Sequence, residues 1–135
     1  MAALRARNTH VVLITGGVLP IVRPAAQELD IPASDVFGID LFFNEDGSFQ
    51  DFDRKAFTTR PLGKALAVKH LRESRGFGKI VIVGDGVTDV EAGAETDLMV
   101  GFGGNVVRPK VQATCDWWVT EIEELHKALR DHPRS

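Results

Sequence analysis

Cysteine is nearly missing from this chain, and so are basic clusters, long apolar runs and low-complexity tracts. The single Cys115 among 135 residues excludes an internal disulfide and fits a reducing compartment. Its expected role is that of a small buried hydrophobe. Net charge is −3 with no stripe of Lys or Arg, which points away from nucleic acid. No apolar stretch approaches the roughly 20 residues a membrane span needs. The opening MAALRARN holds two arginines but no apolar core, so it reads as the last turns of a helix rather than a secretory signal. Repeats and linkers are absent too. The expectation is one cytoplasmic domain over residues 1–135.

What is present suits such a domain. With 44% hydrophobic and 26% charged residues, the chain can both fill a core and cover it. Strand and helix patterns alternate. Val11 to Thr15 reads as a short strand ending at Gly16-Gly17, followed by a helix from Pro20 to Leu29 with Ile21, Val22, Ala25, Ala26 and Leu29 on its apolar face. Pro20 and Pro24 are both expected near its first turn, where proline is tolerated. Val36–Phe43, the turn Asn44-Glu45-Asp46-Gly47 and Ser48–Phe52 read as a β-hairpin insertion over residues 36–53. Gly63 to Arg75 is a helix carrying Leu66, Ala67, Val68 and Leu71. Ile80–Val83 reads as a fully buried strand with a short helix from Thr88, and Leu98–Val100 and Trp117–Val119 are further strands. Thr120 and Glu123 are placed as a capping box for a terminal helix with Ile122, Leu125 and Leu129 on one side. This order predicts an α/β fold, a three-layer Rossmann-like parallel sheet covered by helices.

Three clusters fall at element ends. Thr15-Gly16-Gly17 offers a hydroxyl and glycine amides, the makings of a phosphate cradle or simply of a strand-to-helix turn. Lys64 opens a helix, where the dipole slightly disfavours a cation. In the run KIVIVGDGVTD, Asp85 and Asp89 lie four residues apart, with Thr88 between them, at the carboxyl end of a strand where open α/β sheets bind ligands. Two acids with no base between them suit a hard cation such as Mg²⁺, or else Asp89 caps the helix. A phosphoryl group held on Mg²⁺ needs such partners, because the negative charge on its oxygens must be neutralised.

The blocks LITGG, Gly63-Lys64 and IVIVGDGVTDVEA resemble motifs two, three and four of the haloacid dehalogenase superfamily of phosphohydrolases. VLITGGVLPIV, LDIPASDVF, FFNEDGSFQDFD and VGFGGNVVR resemble more closely the eukaryotic phosphoserine phosphatases, from about Leu4 to Leu129. The resemblance implies Mg²⁺-dependent hydrolysis of O-phospho-L-serine to L-serine and phosphate, the last step of L-serine biosynthesis. It gives Thr15 and Gly16 the phosphate oxygens, Lys64 the neutralisation of phosphate and nucleophile, Asp85 and Asp89 the metal, and Thr88 and Asn105 the edge of the substrate pocket. It also implies a departure. The aspartate nucleophile of the family's DxDxT motif is absent, and so is the helical cap that contacts the substrate. The one D-x-D, Asp51-Phe52-Asp53, lies in the hairpin with Lys55 where threonine belongs, and reads as a solvated arm. The expected domain is therefore incomplete at its N-terminus, with the strands on either side of the missing one left unpaired. A homodimer or a complementing N-terminal piece is the partner that this suggests. The alternative reading is an inert fragment that at most binds phosphate or Mg²⁺.

Rival readings fail on order and spacing. A receiver domain presents its acids first, then Thr, then Lys, whereas here the order is Thr15, Lys64, Asp85, Asp89. Neither GDGVTD nor GFGGNV has the third glycine of G-x-G-x-x-G, and NEDGSF lacks the twelve-residue ligand pattern of an EF-hand.

Overall fold

A computed structural model of the chain describes residues 2–59, 61–104 and 106–131. Helix α1 (Ala2–Ala6) precedes strand β1 (Leu13–Val18), helix α2 (Leu19–Glu28) and strand β2 (Val36–Ile39). A hairpin of β3 (Leu41–Phe43) and β4 (Phe49–Phe52) follows, then α3 (Gly63–Arg75), β5 (Val81–Gly84), α4 (Val87–Gly93), β6 (Leu98–Phe102), α5 (Pro109–Thr114), β7 (Trp117–Val119) and α6 (Ile122–Asp131). The expected α/β alternation is what forms, and its sheets are parallel apart from the hairpin.

The parallel strands make two ladders. β1 pairs with β2, while β5, β6 and β7 pair in that order; no ladder joins β1 to β5 among the described residues. The core gathers around β6, where Met99 and Val100 are buried with Ala67, Val68 and Leu71 of α3, Ala92 of α4, Val111 of α5 and Val119 of β7. β5 departs from the expected buried strand: Val81 and Val83 are 54% and 46% exposed. Val81 and Val83, two residues apart, lie on the same face of the strand, and that face is open to water. On α2 only Ala26 is buried, and Ile21 is 77% exposed, so the expected apolar face is largely uncovered. Leu66 and Ile122 are likewise exposed rather than packed.

Other expectations are corrected in detail. The run read as one hairpin arm divides at Asp40, whose Oδ1 accepts a hydrogen bond from the Leu41 amide at 3.0 Å. Before it, Val36–Ile39 runs parallel to β1, in register Leu13↔Val36 and Ile14↔Phe37; after it, Leu41–Phe43 pairs antiparallel with β4. Gly38 permits the close approach of β2 to β1, since a Cβ there would lie 2.9 Å from Thr15 Cγ2. Pro24 falls inside α2 rather than in its first turn, because the helix begins at Leu19 directly after the strand. The cap of α6 uses Glu124, not Glu123: Glu124 Oε1 accepts from the Thr120 amide at 3.1 Å, the Thr120 hydroxyl and the Glu121 amide. Helix α6 starts at Ile122, which makes Glu124 its third residue, the one that reaches back. Cys115 is half-buried, its thiol turned to the Gln112 carbonyl. Asp51 is indeed a solvated hairpin residue, paired with Arg54 at 3.0 Å.

The amino ends of β1 and β2 are clasped to the end of α3. Asp35, 5% exposed, accepts from Arg75, and its Oδ2 lies 2.9 Å from His10 Nε2; Arg75 also donates to the Ser34 carbonyl at 2.8 Å. Burial pushes the Asp35 carboxyl up, but the hydrogen bonds from Arg75 and His10, aided by their charges, hold it below its ordinary value. A folded value below the unfolded one means stabilisation that is whole above the ordinary aspartate range and is lost as pH falls through the folded value. Asp35→Asn is therefore expected to cost about 1.5–3 kcal/mol at neutral pH, the scale of a hydrogen bond to a charged group. It should also flatten the acid limb of stability against pH, as urea melts at stepped pH would show.

Candidate phosphate and metal site

The three sequence clusters come to the carboxyl end of the strands by separate routes. Thr15, Gly16 and Gly17 lie within β1 rather than beyond it, and a register shift between Ile14 and Val18 marks where the ladder gives way. The Thr15 hydroxyl accepts the Gly17 amide at 3.0 Å. Lys64 is the second residue of α3. Its helix opens after Leu62, which takes the left-handed conformation (φ 58°, ψ 29°) where glycine would be unstrained. Leu62 lets the chain reverse into the helix and leaves its own side chain 56% exposed. Gly63 is packed so tightly that a Cβ there would lie 2.7 Å from Thr58 Cα.

Asp89 caps its helix and adds an ion pair to that role. Its Oδ2 accepts the Gly86 amide at 3.1 Å, capping α4, and its Oδ1 pairs with Lys64 Nζ at 2.8 Å. Gly84 makes room for that carboxylate, since a Cβ at Gly84 would lie 2.6 Å from Asp89 Cβ. The pair is largely shielded, with side chains 16% and 9% exposed, so each charge depends on the other for its burial. It also answers the mild conflict of a cation at a helix N-terminus: the acid on α4 holds the lysine there.

Beside this pair lies a cavity of about 290 Å³, whose walls include Gly16, Thr58, Leu62, Lys64, Thr88 and Glu91. Lys64, Gly16 of β1 and the threonines Thr58 and Thr88 thus share one wall, with the Glu91 carboxylate as an acidic counterpart. Thr15 flanks Gly16 but does not line the cavity, and neither does Asp85, which stands half-buried in the turn after β5. Asn105 lies outside the described residues. Thr58 and Glu91 escaped the sequence reading. Thr58 lies in a three-residue turn, Phe57–Thr59, too short to show a period, and Glu91 looks like any helix-surface acid.

For a divalent cation the oxygen donors are of the right kind. Asp85 has a hard carboxylate, whereas both oxygens of Asp89 are engaged by Lys64 and the Gly86 amide. No group of three or more His, Cys, Asp or Glu side chains placed to hold a metal occurs among the described residues. Mg²⁺ is commonly held by one or two carboxylates completed with waters, and of Asp85 and Asp89 it is Asp85 that is not engaged by Lys64 and the Gly86 amide.

The family model of the haloacid dehalogenase-like hydrolases matches residues 1–94. The chain belongs to that family. Its curated relatives include the phosphoserine phosphatase of Bos taurus, 41% identical over 131 residues, a match covering 97% of this chain and 58% of that protein. This chain thus spans little more than half the length of that relative. Among solved structures, DsGPDH of Dunaliella salina superposes with a TM-score of 0.79 at 32% identity, over 93% of this chain and 21% of the other. A phosphoserine phosphohydrolase-like protein from Francisella tularensis gives 0.80 at 21% identity, over 94% and 58%, which speaks for the fold alone. No helix among the described residues is long and apolar enough to cross a membrane.

Proposed function

We propose that this chain carries the phosphate-binding half of a phosphoserine phosphatase, acting with Mg²⁺ on O-phospho-L-serine in cytoplasmic L-serine biosynthesis. The observation that carries the reading is Lys64, held by Asp89 on the wall of a cavity that it shares with Gly16 and Thr88. A phosphate entering that cavity meets the ammonium, which can turn one of its three donors to an oxygen while still neutralising Asp89. Gly16 offers its amide and Thr88 its hydroxyl. Thr15 supports the cradle from behind; its hydroxyl accepts from the Gly17 amide and keeps its own proton to donate to a phosphate oxygen. Asn105 is assigned to the edge of the pocket on resemblance alone.

Asp85 is the residue that would hold Mg²⁺ directly, with Asp89 supporting it from the Lys64 pair. Bound there, the cation would supply charge neutralisation for the phosphoryl oxygens. The remaining ligands, and the nucleophile, are assigned to a separate or preceding segment of chain. Support for such a segment comes from the ladders: β1 has its ladder partner in β2 and β5 has its in β6, so each has an edge on which one more strand can pair.

The direct test is binding of inorganic phosphate to the 135-residue chain by calorimetry. Lys64→Gln is expected to weaken it by about 10- to 100-fold, the equivalent of one charge-assisted hydrogen bond. Equal affinity in the variant would remove the reading.

A further inference from the structure

Thr58 stands out among the polar residues of the described structure: its Oγ1 is buried and has no hydrogen-bond partner. Its neighbour Thr59 shows what a threonine in this turn does when it is only structural. The Thr59 hydroxyl lies 2.7 Å from the Ala56 carbonyl and 3.1 Å from that of Arg54, an ordinary local satisfaction. Thr58 forgoes such a bond although it sits in the same short turn, Phe57–Thr59. It lies instead on the wall of the cavity that also holds Lys64, Gly16 and Thr88. Nor is its position loose. The turn packs on α3, β1 and β2, and the Thr58 backbone lies directly against Gly63, the residue before Lys64.

A buried hydroxyl without a partner is costly to keep unless a ligand or water completes it. The surroundings narrow the ligand: a lysine, a glycine of β1 and another hydroxyl suit a tetrahedral oxyanion, while the Glu91 carboxylate shares the wall with them. We propose that Thr58 is a further phosphate-binding residue, its hydroxyl donating to an oxygen of the phosphate held by Lys64. The oxygen is shielded in this rotamer, so engagement requires a change of χ1 that turns it to the ligand. The inference rests on the cavity being a phosphate site.

Calorimetry with inorganic phosphate on the 135-residue chain tests it, together with thermal melts of the same variants without ligand. Thr58→Val keeps the shape and removes the donor. It is expected to weaken phosphate binding about tenfold, and Thr58→Ser to restore it to within about threefold. The melting temperature of unligated Thr58→Val should be at least that of the parent, because an unsatisfied hydroxyl has gone. Phosphate affinity unchanged in Thr58→Val, or in Thr58→Ala should the valine variant fold poorly, overturns the proposal and leaves the Lys64 reading intact. A lower melting temperature with affinity retained assigns the hydroxyl a structural bond and overturns it as well. Loss of phosphate binding in neither Thr58→Val nor Lys64→Gln, or no binding by the parent chain, overturns both readings together.

Discussion

Alanine in place of Gly63 is expected to destabilise the chain by about 3 kcal/mol or more, the upper end of what overpacking costs. The added methyl would lie 2.7 Å from Thr58 Cα and 2.8 Å from the Phe57 carbonyl carbon, with the Phe57 oxygen closer still. All three are backbone atoms, so no side-chain rotation relieves the clash. Either the turn at Phe57–Thr59 or the start of α3 must move. Movement of α3 draws Lys64 away from Asp89 and exposes a shielded ion pair to misfit. The control is Gly78→Ala, where nothing lies within 4 Å of the added atom. Urea denaturation should show a large fall in midpoint for the first and little change for the second. Since a domain is stable by only about 5–15 kcal/mol, and this one lacks a covered α2 and β5, Gly63→Ala should come close to unfolding it. A midpoint within error of the parent would mean that the turn yields freely and does not fix Lys64.

The elements that carry the site were legible because their signals are local. Apolar runs ending at glycine mark β1 and β5, and the Gly63–Arg75 periodicity marks α3, closed by Gly76 at φ 66°. The convergence of Lys64 with Gly16 and Thr88 was legible only through the order of motifs along the chain. What stayed hidden depends on tertiary contacts. The pairing of Lys64 with Asp89 spans 25 residues and follows from how α3 lies beside α4. The division of the supposed hairpin at Asp40 follows from β1 competing for Val36–Ile39, a parallel partner that no local pattern announces. α5 passed unnoticed although Pro109 stands at its first position, because six residues are too few to show a period. Exposure of Ile21, Val81 and Val83 could not be read from their apolar character, since that character says where a side chain would be stable and not whether anything covers it.

The purified 135-residue chain is expected to release no measurable phosphate from O-phospho-L-serine with Mg²⁺, and to do so once a separate piece supplying a DxDxT-bearing strand is added. The cavity holds charge and hydroxyls but no activated nucleophile. Thr15 Oγ1 accepts the Gly17 amide, Asp89 is committed to Lys64 and Gly86, and the Asp51 and Asp53 pair lies away on the hairpin. Loss of a covalent nucleophile alone leaves on the order of 10³–10⁴ of catalysis over water in a well-studied hydrolase, far below normal turnover. The carboxylate to watch is Glu91, which shares the cavity wall with Lys64. If the chain alone turns over, and Glu91→Gln abolishes that activity, the nucleophile lies on α4 and the need for a second piece disappears. The physical argument favours the second piece. Strand edges on β1 and β5 leave backbone donors and acceptors that another strand would satisfy. Complementation should therefore raise stability and activity together, by a melting shift and phosphate release titrating at the same ratio of the two pieces. Stabilisation without turnover would place the strand but not the nucleophile, and turnover without stabilisation would argue that the piece acts somewhere other than the open edges.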